Sequence, residues 1–298
     1  MQHHQTRAAP PSTEDPTYHQ QTGISMAISA TTTEHRRSTH TEPSFVHLVQ
    51  SEWIKIRTVR STLWCLLALT AAVIGIGFLA VANRNAHADH LGPLPIGELV
   101  IRSHIGLSLG QLAVVVLAAR SIGSEYGTGL ISTSLTAVPW RKRWLAAKAL
   151  VVATVALVAG ALLSAAAFAL LYAITPAVSG PVMHPEVVRA VLGGGPYLAA
   201  LALLAFAVAT VARSSVGGIV VVSAMSFVIP VMSMGVPGFD GLLRFLPSGL
   251  FPGNAGWAIM QPGPMLNGLA PWAGFAVLCA WVAAGMAVAT CLLDRRDA

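Results

Sequence analysis

An all-α fold that crosses a membrane six times is what this chain predicts, on three observations. Hydrophobic residues make up 54% of it and charged residues only 10%, where a water-soluble domain of this size carries about a quarter charged residues. The few charges are confined to short stretches between apolar runs. Six of those runs approach the roughly 20 residues needed to cross about 30 Å of hydrocarbon at 1.5 Å per residue.

The chain opens on a polar tail, residues 1–43, rich in Thr and His and too poor in apolar residues to bury a core. It reads as a disordered tail preceding a membrane domain over residues 44–298. Five of the ten histidines lie in it, at irregular spacing that argues against a metal site. It has no apolar core of a signal peptide, and Met26 competes with Met1 as the start.

From Phe45 to Thr58, residues Phe45, Leu48, Val49, Trp53 and Ile56 share one helical face, and His47, Gln50, Ser51, Lys55 and Arg57 lie toward the other. This predicts an amphipathic helix at the membrane surface, with its apolar face in the leaflet boundary and its basic face on anionic headgroups of membrane lipids. The alternative is an ordinary basic flank whose periodicity is incidental.

The six crossings run approximately from Leu63 to Ala82, Glu98 to Ala119, Ala149 to Ile174, Val191 to Ala212, Val216 to Val236 and Trp272 to Leu293. The second carries Arg102 and His104 in its first turns, which would have to reach toward the headgroups. The fifth contains Pro230, which removes a backbone donor and predicts a kink, with neighbouring helices satisfying the freed carbonyl. Gly106 with Gly110, and Gly160 with Ser164, fit small-xxx-small helix contacts.

Basic residues set the orientation, because cytoplasmic flanks accumulate Lys and Arg. Of the eighteen, only Arg84, Arg102, Arg189 and Arg244 fall on one side. The other fourteen place both termini in the cytoplasm. They account for the net charge of +6 without nucleic acid, since no basic soluble domain is present.

Several chemistries lack their residues. The three cysteines, Cys65, Cys279 and Cys291, lie in or at the ends of crossings as apolar fillers, and no CxxC or Cys/His cluster supports zinc or redox chemistry. His87, Asp89 and His90 read as a solvated loop rather than metal ligands. None of the three lysines, Lys55, Lys142 and Lys148, completes a phosphate loop. No carboxylate falls in the middle of a crossing, which weakens an ion-coupled carrier. No nucleophile elbow accompanies His104 to suggest an intramembrane hydrolase. No catalytic residue and no cofactor are expected.

An external energy source therefore needs a docking place. The stretch Arg120 to Lys148, RSIGSEYGTGLISTSLTAVPWRKRWLAAK, lies between two crossings on the basic side and carries the carboxylate Glu125 in a Gly-rich setting. Gly127 and Gly129 serve backbone turning or close approach rather than phosphate binding. Glu125 is alternatively an acid favourable at a helix N-terminus, or a partner for nearby arginines.

Three segments, SEWIKIRTVRSTLW (Ser51 to Trp64), SEYGTGLISTSLTAVPWRKRWLAAK (Ser124 to Lys148) and WVAAGMAVATCLLDRRDA (Trp281 to Ala298), together resemble bacterial ATP-binding-cassette transporter permeases of the type-two export class. The resemblance implies a six-helix half-transporter in a bacterial inner membrane. It implies pairing with a second copy or a homologous permease, and with a separate ATP-binding-cassette ATPase subunit that hydrolyses the ATP. The amphipathic helix corresponds to that family's elbow helix, represented by Trp53, Lys55 and Arg57. Residues from about Ile122 to Leu135 correspond to its cytoplasmic coupling helix, with Ser124, Glu125, Tyr126, Gly127, Thr128 and Gly129 as the ATPase-coupling residues.

From Pro237 to Pro271 the chain is too apolar for a fully wet loop, so short interfacial or re-entrant helices are expected, or an aromatic belt at Trp257 and Trp272. Gln111, a rare polar group at membrane depth, faces the central pathway or bonds a neighbouring helix. The scarcity of polar pathway residues favours an apolar or amphipathic cargo. Two other classes stay open: a stand-alone channel or carrier, and a non-transporting anchor or sensor component.

Overall fold

A computed structural model describes residues 44–86, 92–127, 141–236, 238, 247–263 and 269–296. The chain divides between Glu42 and Pro43, and all the described residues belong to the second unit. The tail, and the histidines expected to be a solvated loop at 87 and 90, lie outside them.

Helix α1 (Phe45–Thr58) ends where Val59 turns extended, with φ −78° and ψ 119°, and α2 (Arg60–Asn85) begins at the next residue. A two-residue strand β1 (Leu94–Pro95) leads into α3 (Ile96–Gly127), and α4 (Arg141–Ile174) follows. Strand β2 (Val178–Ser179) pairs parallel with β1. Then come α5 (Pro185–Leu192), α6 (Gly194–Ala212), α7 (Ser215–Ser223), a π-helical turn (Ala224–Val228) and α8 (Ile229–Gly235). Short 3-10 turns (Ser248–Leu250 and Ala258–Met260) flank α9 (Pro252–Trp257), and α10 (Pro271–Arg296) closes the described chain.

Six helical segments are long and apolar enough to cross a membrane: Arg60–Asn85, Ile96–Gly127, Lys142–Ile174, Pro185–Ala212, Ser215–Gly235 and Pro271–Leu293. Each contains most or all of one apolar run found in the sequence, and the second, third and fourth extend well beyond it. Near the start of the second helix, Arg102 and His104 find partners within the protein. Arg102 Nη2 lies 2.7 Å from Glu98 and Nη1 donates to the Ala80 carbonyl. The fourth crossing is lengthened by α5, which joins α6 at Gly193.

Helix α6 is the hub. It packs against α3, α4, α7 and α10, and Tyr197, Leu198, Leu201, Ala205 and Phe206 are fully buried. The outer helices keep one face apolar and exposed, as with Leu63, Trp64, Phe78 and Leu79 on α2 or Leu157, Val158 and Leu162 on α4. A bundle with large apolar side chains both buried and uncovered matches a lipid surrounding in which packing rather than water exclusion holds helices together.

Small residues permit the closest approaches. A Cβ on Gly106 would lie 2.3 Å from the Ala72 carbonyl oxygen, and one on Gly160 would lie 2.6 Å from the Gly194 carbonyl oxygen. These positions set the α2–α3 and α4–α6 contacts, as small-xxx-small spacing implies.

Pro230 acts as its chemistry requires. The carbonyl four residues before it, that of Ser226, accepts from Gln111 Nε2 at 3.1 Å, and the π-helical turn occupies the residues just ahead. Gly253 lets α9 press against this break, since a Cβ there would meet the Ser226 oxygen at 2.3 Å. The short helices around Pro252–Met260 are buried, in line with a re-entrant reading of that stretch.

Candidate functional site at the basic end of the bundle

Four described elements meet where the second crossing ends. The last turns of α3 bring Glu125, the start of α4 brings Lys148, α1 brings Glu52 and Lys55, and the α6–α7 turn brings Arg213 and Ser215. The turn forms because Arg213 takes a left-handed conformation, φ 50°, at the end of α6, and the Ser214 hydroxyl caps α7 by accepting from the Gly217 amide. Gly123 then fits against it, where a Cβ would lie 2.4 Å from the Ser215 nitrogen.

At the centre stands Lys148, only 3% exposed. Its ammonium donates to Glu52 Oε2 at 2.6 Å and to Glu125 Oε1 at 2.7 Å, and lies 5.5 Å from the Trp144 ring centroid. Lys55 Nζ closes the group, 2.6 Å from Glu52 Oε1 and 3.6 Å from Glu125 Oε1. Two carboxylates and two ammoniums balance, which is the condition for holding charge away from water. Burial alone would raise the Glu52 carboxyl, but the adjacent Lys148 and Lys55 outweigh it and hold the group below its ordinary range. Burial alone would lower the Lys55 ammonium, but Glu52 and Glu125 hold it above its ordinary value.

The residues singled out in sequence fall into two groups. Ser124, Glu125, Tyr126 and Gly127 form the last turn of α3, continuous with the second crossing. Ser124 donates to the Arg120 carbonyl, Tyr126 lies under the Arg213 guanidinium at 5.9 Å, and Gly127 has open space around it. Thr128 and Gly129, with the rest of the stretch to Leu135, lie outside the described residues. On α1, Trp53, Lys55 and Arg57 are all exposed, and Lys55 alone of the three joins the ion group.

Helix α1 turns an acid as well as an apolar residue toward the bundle. Leu48 and Glu52 are its buried residues, and Phe45, Trp53 and Ile54 stay exposed. The face toward the protein is therefore partly ionic. Glu52 and Lys148 are the residues that sequence reasoning passed over. The available signal was the Glu52–Lys55 spacing of one helical turn in a chain with few carboxylates, and a lysine at the start of an apolar run.

Gln111 lies deeper and is fully engaged. Its Nε2 donates to the Ser108 and Ser226 carbonyls, and its Oε1 accepts from the Tyr197 hydroxyl. Tyr197 in turn meets Trp257 edge to face at 6.0 Å between centroids. A second buried polar contact joins His104 and Ser164, Nε2 to Oγ at 2.6 Å, with the Ser164 hydroxyl also within reach of the Val191 carbonyl. Both side chains are sealed in packing, as interhelical bonds rather than a reactive pair.

On the opposite side, basic residues serve as clamps. Arg84 donates to the Gly92 carbonyl, and Arg189 donates to the carbonyls of Ile259 and Gln261, holding the α9 region to α5. Among the described residues no group of His, Cys, Asp and Glu is arranged to hold a metal ion.

No curated protein matches the chain. The family model described as ABC-2 family transporter protein matches residues 48–230, a stretch that begins in α1, contains the whole ion group and runs to Pro230. Six apolar crossings, a charge group at one end and this match over more than half the chain make the protein a multi-pass membrane permease subunit of the ABC-2 family of ATP-binding-cassette transporters.

Proposed function

We propose that this permease is one half of an exporter, driven by ATP hydrolysed on a separate chain that docks on the segment after the second crossing. The observation that carries the reading is the ion group of buried Glu52, Glu125 and Lys148 with half-exposed Lys55. It joins the end of α3, from which the docking segment departs, to α1 and to α4. A push delivered at residues 124–135 would then be passed to two further elements through charge-assisted bonds, which are roughly twice as strong as neutral ones. A flexible loop would absorb the same push locally.

Two further features support it. The stretch is flanked by Arg120, Arg141, Lys142 and Arg143, as expected of a cytoplasmic loop in a bacterial inner membrane. Glu125 Oε2 is buried and has no hydrogen-bond partner among the described residues, an acceptor that a shift of α3 on docking would free for a new donor. A second permease copy, or a sister permease, completes the pathway in this reading. The exposed apolar faces of α2 and α7 offer it a surface.

Affinity capture of the tagged chain from native membranes, followed by ATPase assay, tests the proposal. The expected result is recovery of an ATP-binding chain whose turnover depends on the permease, with Glu125→Gln keeping the permease in the membrane and reducing that dependence. Solute movement by the purified chain alone in vesicles would instead favour a channel or carrier.

A further inference from the structure

Helices α1 and α4 do not close on each other beyond the ion group. Between them lies a groove of about 400 Å³, lined by Val49, Gln50, Trp53 and Ile54 on one wall and Leu150, Val151 and Thr154 on the other. The volume falls within the range of small-molecule sites. Its walls are almost wholly apolar: the Thr154 hydroxyl is spent on the Leu150 carbonyl, so Gln50 carries the free polar group.

Place and charge narrow the occupant. Leu150, Val151 and Thr154 belong to the membrane-crossing segment Lys142–Ile174, so the groove opens toward acyl chains rather than water. Each wall continues to an exposed arginine on the same helical face. Arg57 follows Gln50 by seven residues on α1, and Arg143 precedes Leu150 by seven residues on α4. Two helical turns are about 10 Å, enough to carry the α4 wall from the hydrocarbon edge past a headgroup layer of roughly 5–8 Å. Trp53, exposed within the groove wall, is the residue type that settles at that level.

We propose that this groove binds an anionic glycerophospholipid, with one acyl chain between α1 and α4, its ester region at Gln50 and its phosphate held by Arg57 and Arg143. A second copy of the chain fits less well. The charged residues that α1 leaves exposed are basic, because its carboxylate Glu52 is buried, so a second α1 would set like charges together. The lipid would brace α1 against α4 beside the ion group, and the inference requires only that the chain lies in a membrane, so it stands or falls apart from the coupling reading.

Native mass spectrometry of the full chain, released from nanodiscs with equal phosphatidylglycerol and phosphatidylcholine of the same chain length, tests it. The expected result is phosphatidylglycerol retained over phosphatidylcholine by roughly ten-fold, as two arginines near a charged headgroup imply. Arg57→Gln with Arg143→Gln should remove the preference, and Thr154→Phe should remove retention of both lipids. As a check that needs no altered packing, phosphatidylglycerol with brominated acyl chains should quench the part of the tryptophan fluorescence lost in Trp53→Phe. Equal retention of the two lipids by the unmodified chain would overturn the proposal. So would a preference that survives the paired arginine substitution, or a dimer interface that covers Trp53.

Discussion

Lys148 and Glu52 are 96 positions apart in the chain and 2.6 Å apart in the fold. The contact fastens the surface helix to the third crossing, and Glu125, bonded to the same ammonium, brings in the end of the second. One lysine thus ties three elements at the end where coupling is proposed.

Removing that lysine leaves two buried carboxylates facing each other. Lys148→Met is expected to cost about 3–5 kcal/mol, the usual penalty for breaking a buried ion pair on one side. Adding Glu52→Gln and Glu125→Gln should restore most of the loss, because the neutral set no longer strands charge. Thermal unfolding in detergent measures both, and a triple variant as unstable as the single one would contradict the charge argument.

The same group predicts a pH window. Glu52 lies below its ordinary value of 4.5 in the folded chain, so its contribution is present above that value and is lost as pH falls through the lower folded one. Lys55 lies above its ordinary value of 10.5, so its contribution is full below that value and is lost as pH rises through the higher folded one. The contribution of these two residues should therefore be flat from about pH 5 to pH 10. Melting curves of Glu52→Gln should lack the part of the acid decline that the unmodified chain shows; an identical decline would remove Glu52 from the account.

Helix approach can be probed with two glycines. Gly106→Ala would drive a methyl into the α2 backbone, while Gly75→Ala meets nothing within 4 Å. The first is expected to cost about 1–3 kcal/mol, and the second nothing or a small gain from helix propensity. Equal melting temperatures for the two variants would show that α2 and α3 are farther apart than described.

In the interior, Tyr197→Phe removes the donor to Gln111 Oε1. A loss of about 1 kcal/mol is expected, in the range of interhelical hydrogen bonds within membranes. Combined with Gln111→Leu, the effects should be less than additive. Full additivity in the double-mutant cycle would mean that the two side chains do not interact.

The crossings were legible in the sequence because hydrocarbon thickness demands an apolar run, and each run is bounded by charge or by Pro and Gly. Pro230 announced both its break and the need for a donor to the freed carbonyl. Gln111 as that donor was not legible, since only the packing of α3 beside α7 brings it there. The ion group was hidden for a related reason. Glu52 was assigned to neither face of the amphipathic helix, and Lys148 counted as one of several basic flank residues. Their pairing depends on α1 folding back on α4, which no local pattern encodes. Periodicity in α1 ranks apolar residues alone, so it carried no sign of a buried carboxylate with a cationic partner.

The central claim is that an ATP-hydrolysing chain rests on the segment after α3. A photoreactive residue placed at Thr128 or Gly129 in cells tests it most directly, with the crosslinked partner identified by mass spectrometry and compared with the same probe at Met183 on the opposite side. The account predicts crosslinks from 128 and 129 to an ATP-binding subunit, and none from 183. Crosslinks to that subunit from 183 but not from 128 or 129, or accessibility of 128 and 129 from outside the cell, would contradict it.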